Sequence, residues 1–197
     1  LYWRKLALDF EVIKRLVVAF LPTGILGLTL YRQIKGYLLG SETVVLYSLL
    51  IGGIFIIAFE YWYREKEGAT SEIREISYKH ALIIGLFQSI AMIPGVSRSA
   101  STILGGLLLG LKRNTIVEFT FLLAVPNMLA ATGYDLIKSG SQFSLDQIQY
   151  LLAGFVTAFA VALLSIKFLL RFIKTHTFIP FGIYRIVLVI LWVLLLK

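Results

Sequence analysis

The sequence of 197 residues contains no cysteine, so disulfide bonds and thiolate metal sites are excluded, although the redox compartment stays open. Charged residues are also scarce. Asp, Glu, Lys and Arg make up 15% of the chain, whereas hydrophobic residues make up 58%. A soluble domain of this length does not need so much apolar surface, and the composition therefore indicates an integral membrane protein.

Strict alternation of polar and apolar residues is absent as well, which excludes a transmembrane β-barrel. The apolar residues instead form runs long enough for membrane-spanning helices, which need about 20 residues each. We therefore predict an all-α polytopic membrane protein with about five transmembrane helices and one re-entrant helix-loop-helix, forming a single membrane domain. The predicted spans are residues 16–31, 44–63, 117–137, 148–169 and 178–196, and the predicted re-entrant segment is residues 81–111.

Lys and Arg outnumber Asp and Glu by 19 to 11, which gives a formal net charge of +8. The basic residues lie at the ends of apolar segments and do not form a stripe with interleaved aromatic residues. This pattern argues against a nucleic-acid partner and fits membrane topology, because cytoplasmic flanks are enriched in Lys and Arg.

The same charges favour a re-entrant path for residues 81–111. If this segment turns back, 13 basic residues lie on one side of the membrane and 4 on the other, with Arg98 and Arg185 inside apolar segments. If it crosses, the counts become 10 and 7. The stronger asymmetry predicts two half-helices, residues 81–93 and 99–111, which meet at a polar turn within the membrane.

Arg98 is the most informative residue of this turn, because a cation near the middle of a bilayer costs about 2.5–3.5 kcal/mol even on the lenient insertion scale. The second half-helix begins at the same place, so its free backbone N–H groups and the positive end of its dipole add to the charge of the guanidinium. Both features favour an anion, and the planar fork of Arg suits phosphate.

Hydroxyl groups surround Arg98 at helical spacing: Ser97 and Ser101 are four residues apart, and Ser99 and Thr102 are three apart. We interpret this group as an anion site for phosphate or pyrophosphate. The alternative is a structural turn in which Arg98 pairs with a buried acid such as Glu118.

The residues of this region resemble a known family. Residues 85–88 (GLFQ) and 93–103 (IPGVSRSASTI) are similar to the second signature of the bacterial undecaprenyl-pyrophosphate phosphatases, with Ala100 where a Gly is usual. Residues 118–126 (EFTFLLAVP), 154–159 (GFVTAF) and 178–185 (FIPFGIYR) resemble the later helices of the family. The resemblance therefore runs through nearly the whole chain.

The resemblance implies an inverted-repeat fold in the bacterial plasma membrane, with an active-site cleft that faces the outer side. The implied activity is hydrolysis of undecaprenyl (C55) pyrophosphate to undecaprenyl phosphate and phosphate, which recycles the carrier lipid for peptidoglycan and bears on bacitracin sensitivity. The implied catalytic residues are Arg98, Ser97 and Ser99, and the implied substrate-binding residues are Arg98, Ser99, Ser101, Thr102, Gln88 and Gly95.

A first signature of the family, Glu-x-x-x-Glu followed by a Ser/Thr-rich turn and Gly-His, is expected to precede Leu1. The resemblance implies a divalent cation, Mg²⁺ or Ca²⁺, whose acidic ligands we expect there and not in this chain. We therefore expect these 197 residues to be the C-terminal two thirds of such an enzyme, without a metal site of their own. His80 and His176 have charged or polar neighbours and are interpreted as solvated or interfacial.

Other readings stay open at this point. Gln88 either hydrogen-bonds the head group or makes a plain interhelical contact, and Arg185 is interpreted as a structural residue that snorkels or pairs inside. A transporter or flippase for an anionic polyprenyl lipid would use the same anion site, and an inactive fragment of the phosphatase is a third reading. The expected partners are the bilayer and a polyprenyl pyrophosphate lipid, with a homodimer as an alternative to a monomer.

Overall fold

The computed structural model describes residues 9–30, 36, 38, 40–65, 67–139, 148–173 and 176–196. Within these ranges the regular structure is helical and contains no β-strand, which confirms the predicted all-α class. The helices are α1 (Phe10–Thr29), α2 (Glu42–Trp62), α3 (Tyr78–Ser89), α4 (Arg98–Leu108), α5 (Arg113–Ser139), α6 (Ile148–Phe172) and α7 (Ile179–Leu196), with 3₁₀ turns at Ile73–Glu75 and Ile90–Met92.

Four of the described helices are long and apolar enough to cross a membrane, namely Phe10–Thr29, Glu42–Trp62, Arg113–Tyr134 and Gln149–Phe172. A further apolar helix covers Ile179–Leu195. None of the most apolar stretch of α6 is buried inside the protein. A helix that is apolar on all sides and yet unburied belongs in lipid, and the chain is therefore a polytopic membrane protein.

The ends of several helices differ from the predicted bounds. Helix α1 begins at Phe10 and not at residue 16, because the side chain of Asp9 caps it by accepting a hydrogen bond from the N–H of Val12 at 3.3 Å. The charged residues that follow Asp9 lie within the helix and pair with one another, Lys14 with Glu11 at 2.9 Å and Arg15 with Glu11 at 2.8 Å. These paired charges are compatible with the helix, and the predicted start at residue 16 therefore falls too late.

Helices α3 and α4 form a hairpin that returns to its starting point. Thr70 precedes α3 and pairs with the backbone that follows α4: its N–H donates to the carbonyl of Gly110 at 3.0 Å and its carbonyl accepts from Lys112 at 2.9 Å. The half-helices are shorter than predicted. A 3₁₀ turn replaces the end of the first, and Gly110 (φ 82°) ends the second.

Glycines let the hairpin and the spans approach closely. A Cβ at Gly85 of α3 would stand 2.2 Å from the carbonyl oxygen of Ala19 in α1, so these two helices touch through their backbones. A Cβ at Gly53 of α2 would lie 2.9 Å from the carbonyl of Gly182 in α7. Close packing of this kind, through small residues, is typical of helices in membranes.

A buried ion pair joins α2, α5 and the start of α7. Arg113 donates two hydrogen bonds to Glu60, at 2.6 Å and 3.0 Å, and its guanidinium lies 4.8 Å from the centre of the Phe178 ring. The backbone N–H of Phe178 also donates to Glu60, at 2.7 Å. We call this group the clasp (Glu60, Arg113, Phe178).

Candidate active site

The hairpin turn (residues 93–97) joins the 3₁₀ end of α3 to α4. The N–H of Val96 donates to the carbonyl of Ile93 at 3.1 Å, with Pro94 and Gly95 between them. Gly95 has φ 89°, the left-handed backbone conformation that a turn with Pro at its second position requires of the third. Pro94 and Gly95 therefore fix the path of the chain into α4.

Ser97 is the N-cap of α4. Its hydroxyl oxygen accepts a hydrogen bond from the N–H of Ala100 at 3.2 Å, while the first N–H groups of the helix, those of Arg98 and Ser99, have no carbonyl partner within it. The hairpin turn thus ends in a helix N-terminus with free donors and a positive partial charge, as the sequence predicts.

A cavity of about 510 Å³ opens beside the hairpin turn, between α2, α4, α6 and α7. Gly95, Ser97, Ser99 and Arg185 form its polar end. Its walls are apolar, with contributions from Leu49, Ile56, Ile103, Leu104, Leu169, Phe178 and Phe181. The cavity is therefore amphipathic: polar donors are concentrated at the hairpin turn, and hydrocarbon lines the rest.

Arg98 stands at the first position of α4, between two cavity-lining serines, and is half-buried. Its side chain makes no hydrogen bond or ion pair with the part of the chain that the structure describes. The ion pair with Glu118 that the structural alternative requires is not formed there. Arg98 is not itself among the residues that line the cavity, although it stands between two of them, Ser97 and Ser99.

The other hydroxyl residues of the predicted anion site are arranged differently. Thr102 is fully buried and donates its hydroxyl to the carbonyl of Arg98 at 2.7 Å, so it faces the core of the protein. Ser101 is half-buried and does not line the cavity. Of the predicted hydroxyls, the structure brings Ser97 and Ser99 to the cavity and leaves Ser101 and Thr102 outside its lining.

Gln88 lies away from the cavity in a polar cluster (Thr23, Gln88, Ser89, Asn127) between α1, α3 and α5. Its amide nitrogen donates to Thr23 at 2.8 Å, and its amide oxygen accepts from Asn127 at 3.1 Å. Ser89 is 3.4 Å from the hydroxyl of Thr23. This is the interhelical contact that the sequence left open as an alternative to head-group binding.

Arg185 is the residue that local sequence reasoning missed. It lies in α7 and lines the cavity, and only 7% of the residue is exposed, so it does not snorkel. Its Nη2 donates to the carbonyl of Gly95 and lies 3.5 Å from the carbonyl of Ser48, whereas Nε is buried without a partner. The cost of such an unpaired polar group is about 1–3 kcal/mol. Only the position of Arg185 inside an apolar span signalled it beforehand.

Neither histidine lines the cavity. His176 is exposed and stacks on Phe172 with 4.2 Å between ring centres, and His80 is half-buried in the first turn of α3. The described residues contain no group of three or more His, Asp or Glu side chains that could hold a metal ion. A divalent cation therefore does not fit the side chains of this part of the chain alone.

Comparison with known proteins places these features in a family. A family model described as bacitracin resistance protein BacA matches residues 4–191. The chain belongs to this family. The matched range includes the whole hairpin of α3 and α4 and every residue that lines the cavity, Arg185 among them.

Several curated relatives are named undecaprenyl-diphosphatase. One from Aquifex aeolicus is 50% identical over 188 residues, which cover 95% of this chain and 73% of the relative. One from Persephonella marina is 52% identical over 188 residues, with the same coverage of 95% and 73%. A more distant relative from Methanococcus aeolicus is 40% identical over 185 residues, 94% of this chain and 72% of the relative.

Proposed function

We propose that this protein hydrolyses undecaprenyl pyrophosphate, or a polyprenyl pyrophosphate closely similar to it, to the lipid monophosphate and inorganic phosphate. The amphipathic cavity is the observation that carries the proposal, because a substrate with a pyrophosphate head and a long hydrocarbon tail needs both of its surfaces. Membership in the BacA family and the name of the relatives, undecaprenyl-diphosphatase, support it.

The proposed binding mode follows from the two ends of the cavity. The pyrophosphate lies at the polar end, where Ser99 is exposed, Ser97 caps α4 and the free N–H groups of the helix start are available. The first part of the lipid tail lies against the apolar walls, among them Ile103 and Phe181, and the remainder extends into the bilayer.

Arg98 is proposed to neutralise charge during the reaction. An attacking oxygen, from water or from a serine such as Ser97 or Ser99, gives up its proton to solvent and bonds to the terminal phosphorus, and the bond from that phosphorus to the bridging oxygen breaks. The bridging oxygen leaves with the lipid monophosphate and carries negative charge. The helix N-terminus is proposed to stabilise this charge, together with the guanidinium of Arg98, which has no partner among the described residues and turns towards the cavity when the substrate binds. If a serine attacks, water must then release the phosphate from it.

The remaining features of the site are proposals from the family resemblance. The cavity opens towards the outer side of the plasma membrane, and the hairpin turn lies within the bilayer, supported by the return of the chain at Thr70. A divalent cation, Mg²⁺ or Ca²⁺, is proposed to assist the reaction through acidic residues outside the described part of the chain.

The test compares phosphate release by the wild type and by an Arg98→Ala variant, purified in detergent and supplied with undecaprenyl pyrophosphate. We expect the variant to lose about 10²–10³-fold in rate, the range found when one donor that stabilises developing charge is removed. Arg171→Ala is the matched control, because Arg171 is an exposed Arg in the last turn of α6 and does not line the cavity. Its rate should equal that of the wild type.

Two results would contradict the proposal. Wild-type release from Arg98→Ala would show that this guanidinium is not part of the reaction. Labelled lipid that moves between leaflets of reconstituted vesicles, without phosphate release in detergent, would instead identify a lipid transporter that uses the same cavity.

A further inference from the structure

Arg185 carries a charge that the described protein does not neutralise. The side chain is almost fully buried at the polar end of the cavity, and the described residues place no Asp or Glu in an ion pair with it. Its protein acceptors are the neutral carbonyls of Gly95 and Ser48, both bound by Nη2. A buried cation normally has an anion beside it, so the arrangement lacks one partner.

Several donors of the same guanidinium also lack acceptors. Nε is buried without a hydrogen bond, and Nη1 makes none within the described residues. An Arg side chain has five N–H donors in a planar fork, and within the described part of the chain only those of Nη2 have acceptors. Nε has almost no accessible surface, so the free donors that a phosphate oxygen in the cavity can reach are those of Nη1.

The neighbouring helix leaves space for this side chain. Gly52 of α2 lies against the guanidinium: a Cβ there would stand 3.1 Å from Nη2 and 3.2 Å from Cζ of Arg185. Any side chain at position 52 would displace the guanidinium of Arg185. The guanidinium therefore packs against α2 at Gly52, and its hydrogen bond to the carbonyl of Gly95 holds it at the hairpin turn.

We propose that Arg185 is a second phosphate-binding guanidinium of the same site, joined to the hairpin turn through the carbonyl of Gly95. It binds the pyrophosphate from the α7 side of the cavity, while Arg98 and the start of α4 bind it from the hairpin side. Because a pyrophosphate has two charged phosphates, two guanidinium groups suit it better than one. This inference rests on the proposed function for the identity of the ligand.

The experiment measures equilibrium binding, so it does not depend on hydrolysis. Purified wild type and Arg185→Gln are titrated with farnesyl pyrophosphate and with farnesol, which has the same tail without phosphate. We expect Arg185→Gln to lose about 10- to 100-fold in affinity for farnesyl pyrophosphate, the range of one charge-assisted hydrogen bond, and to bind farnesol as the wild type does. Arg185→Lys should recover part of the loss, because it restores charge without the fork.

A purely structural role of Arg185 predicts a different pattern. If the side chain only holds the hairpin turn, Arg185→Gln should weaken farnesol and farnesyl pyrophosphate by the same factor, and that result would overturn the proposal. Unchanged affinity for farnesyl pyrophosphate would overturn it as well. Arg171→Gln, in the exposed last turn of α6, is the charge-matched control and should change neither affinity.

A second variant keeps the test decisive if Arg185→Gln does not fold. Gly52→Ala leaves the charge in place and displaces the guanidinium by a few tenths of an ångström, so it should weaken farnesyl pyrophosphate severalfold and leave farnesol unaffected. Equal effects on both ligands, or no effect, would refute the proposal. Binding that depends on Arg185 in a protein that releases no phosphate would sustain this inference and reject the proposed hydrolysis.

Discussion

At the scale of single residues, Gly95 controls the geometry of the hairpin turn. It combines a positive φ of 89° with a close contact, since a Cβ would stand 2.6 Å from the carbonyl oxygen of Val45. We expect Gly95→Ala to lower the free energy of unfolding by more than the roughly 1–2 kcal/mol that left-handed backbone costs an L-residue. Phosphate release should fall at least tenfold, because the start of α4 and the acceptor of Arg185 both move.

Gly68 provides a control that separates these two causes. Its φ is 82°, close to that of Gly95, but nothing lies within 4 Å of a Cβ built on it. Gly68→Ala therefore has the backbone cost alone and should retain full phosphate release. Thermal unfolding in detergent and the release assay measure both variants, and equal losses of stability and activity in the two would show that the contact with Val45 does not matter.

Some residues of the site could be predicted from their neighbours in sequence, and others depend on distant parts of the chain. Ser97, Arg98 and the turn glycine could be predicted from the sequence, because a cap, a helix start and a left-handed turn depend on neighbouring residues. The direction of Thr102 could not, because packing of α4 against the core decides which face is buried. Arg185 could not be assigned to the site either, since its contact with Gly95 spans 90 residues of sequence.

At the scale of helices, the clasp is the interaction whose loss should cost most. Glu60 accepts hydrogen bonds from Arg113 and from the N–H of Phe178, and only 3% of its side chain is exposed. Glu60→Gln keeps the shape but leaves Arg113 without its counter-charge. We expect a loss of about 3 kcal/mol, the lower end of the range for breaking a buried pair, measured by thermal or chemical unfolding in detergent.

The ion pairs of Glu11 supply the matched control for the clasp. Glu11 pairs with Lys14 and Arg15 near the start of α1, but 48% of its side chain is exposed. Solvent screens such pairs, so Glu11→Gln should cost no more than about 1 kcal/mol. If Glu60→Gln and Glu11→Gln lost the same stability, burial of the clasp would not be what strengthens it.

The existence of each helix could be predicted, but several of the ends could not. Apolar runs identify the spans because a bilayer demands about 20 such residues, whatever the protein packs against. The end of a helix depends on its caps instead. The cap at Asp9 makes α1 start before the charged residues at its N-terminal end. The 3₁₀ turn at Ile90–Met92 ends α3 early, in a segment that is apolar throughout.

At the scale of the whole molecule, two independent observations support the re-entrant path of residues 81–111. The first observation is the distribution of Lys and Arg along the sequence. The second is the backbone pairing of Thr70 with residues 110–112, which does not depend on charge. The charges predict that the start and the end of the hairpin lie on one side of the membrane, and the backbone pairing agrees with this prediction. That side has the excess of basic residues and is therefore predicted to be cytoplasmic.

The absence of cysteine makes this topology directly testable, since a single introduced Cys is the only thiol of the chain. Glu67, Asn114 and Glu42 are exposed and lie before the hairpin, after it, and at the start of α2. We expect a membrane-impermeant maleimide to label Glu42→Cys in intact cells, and to label Glu67→Cys and Asn114→Cys only after permeabilisation.

The three positions test two predictions separately: that residues 81–111 turn back, and that both ends of the hairpin are cytoplasmic. If Asn114→Cys were labelled together with Glu42→Cys while Glu67→Cys was protected, the segment would cross the membrane and the re-entrant path would be wrong. If Glu67→Cys and Asn114→Cys were both labelled in intact cells and Glu42→Cys was protected, the hairpin would stand but the charge rule would have given the wrong side. The second of these results would contradict the proposed outward-facing cavity but not the proposed phosphate site at the hairpin turn. Only the first result would contradict that site.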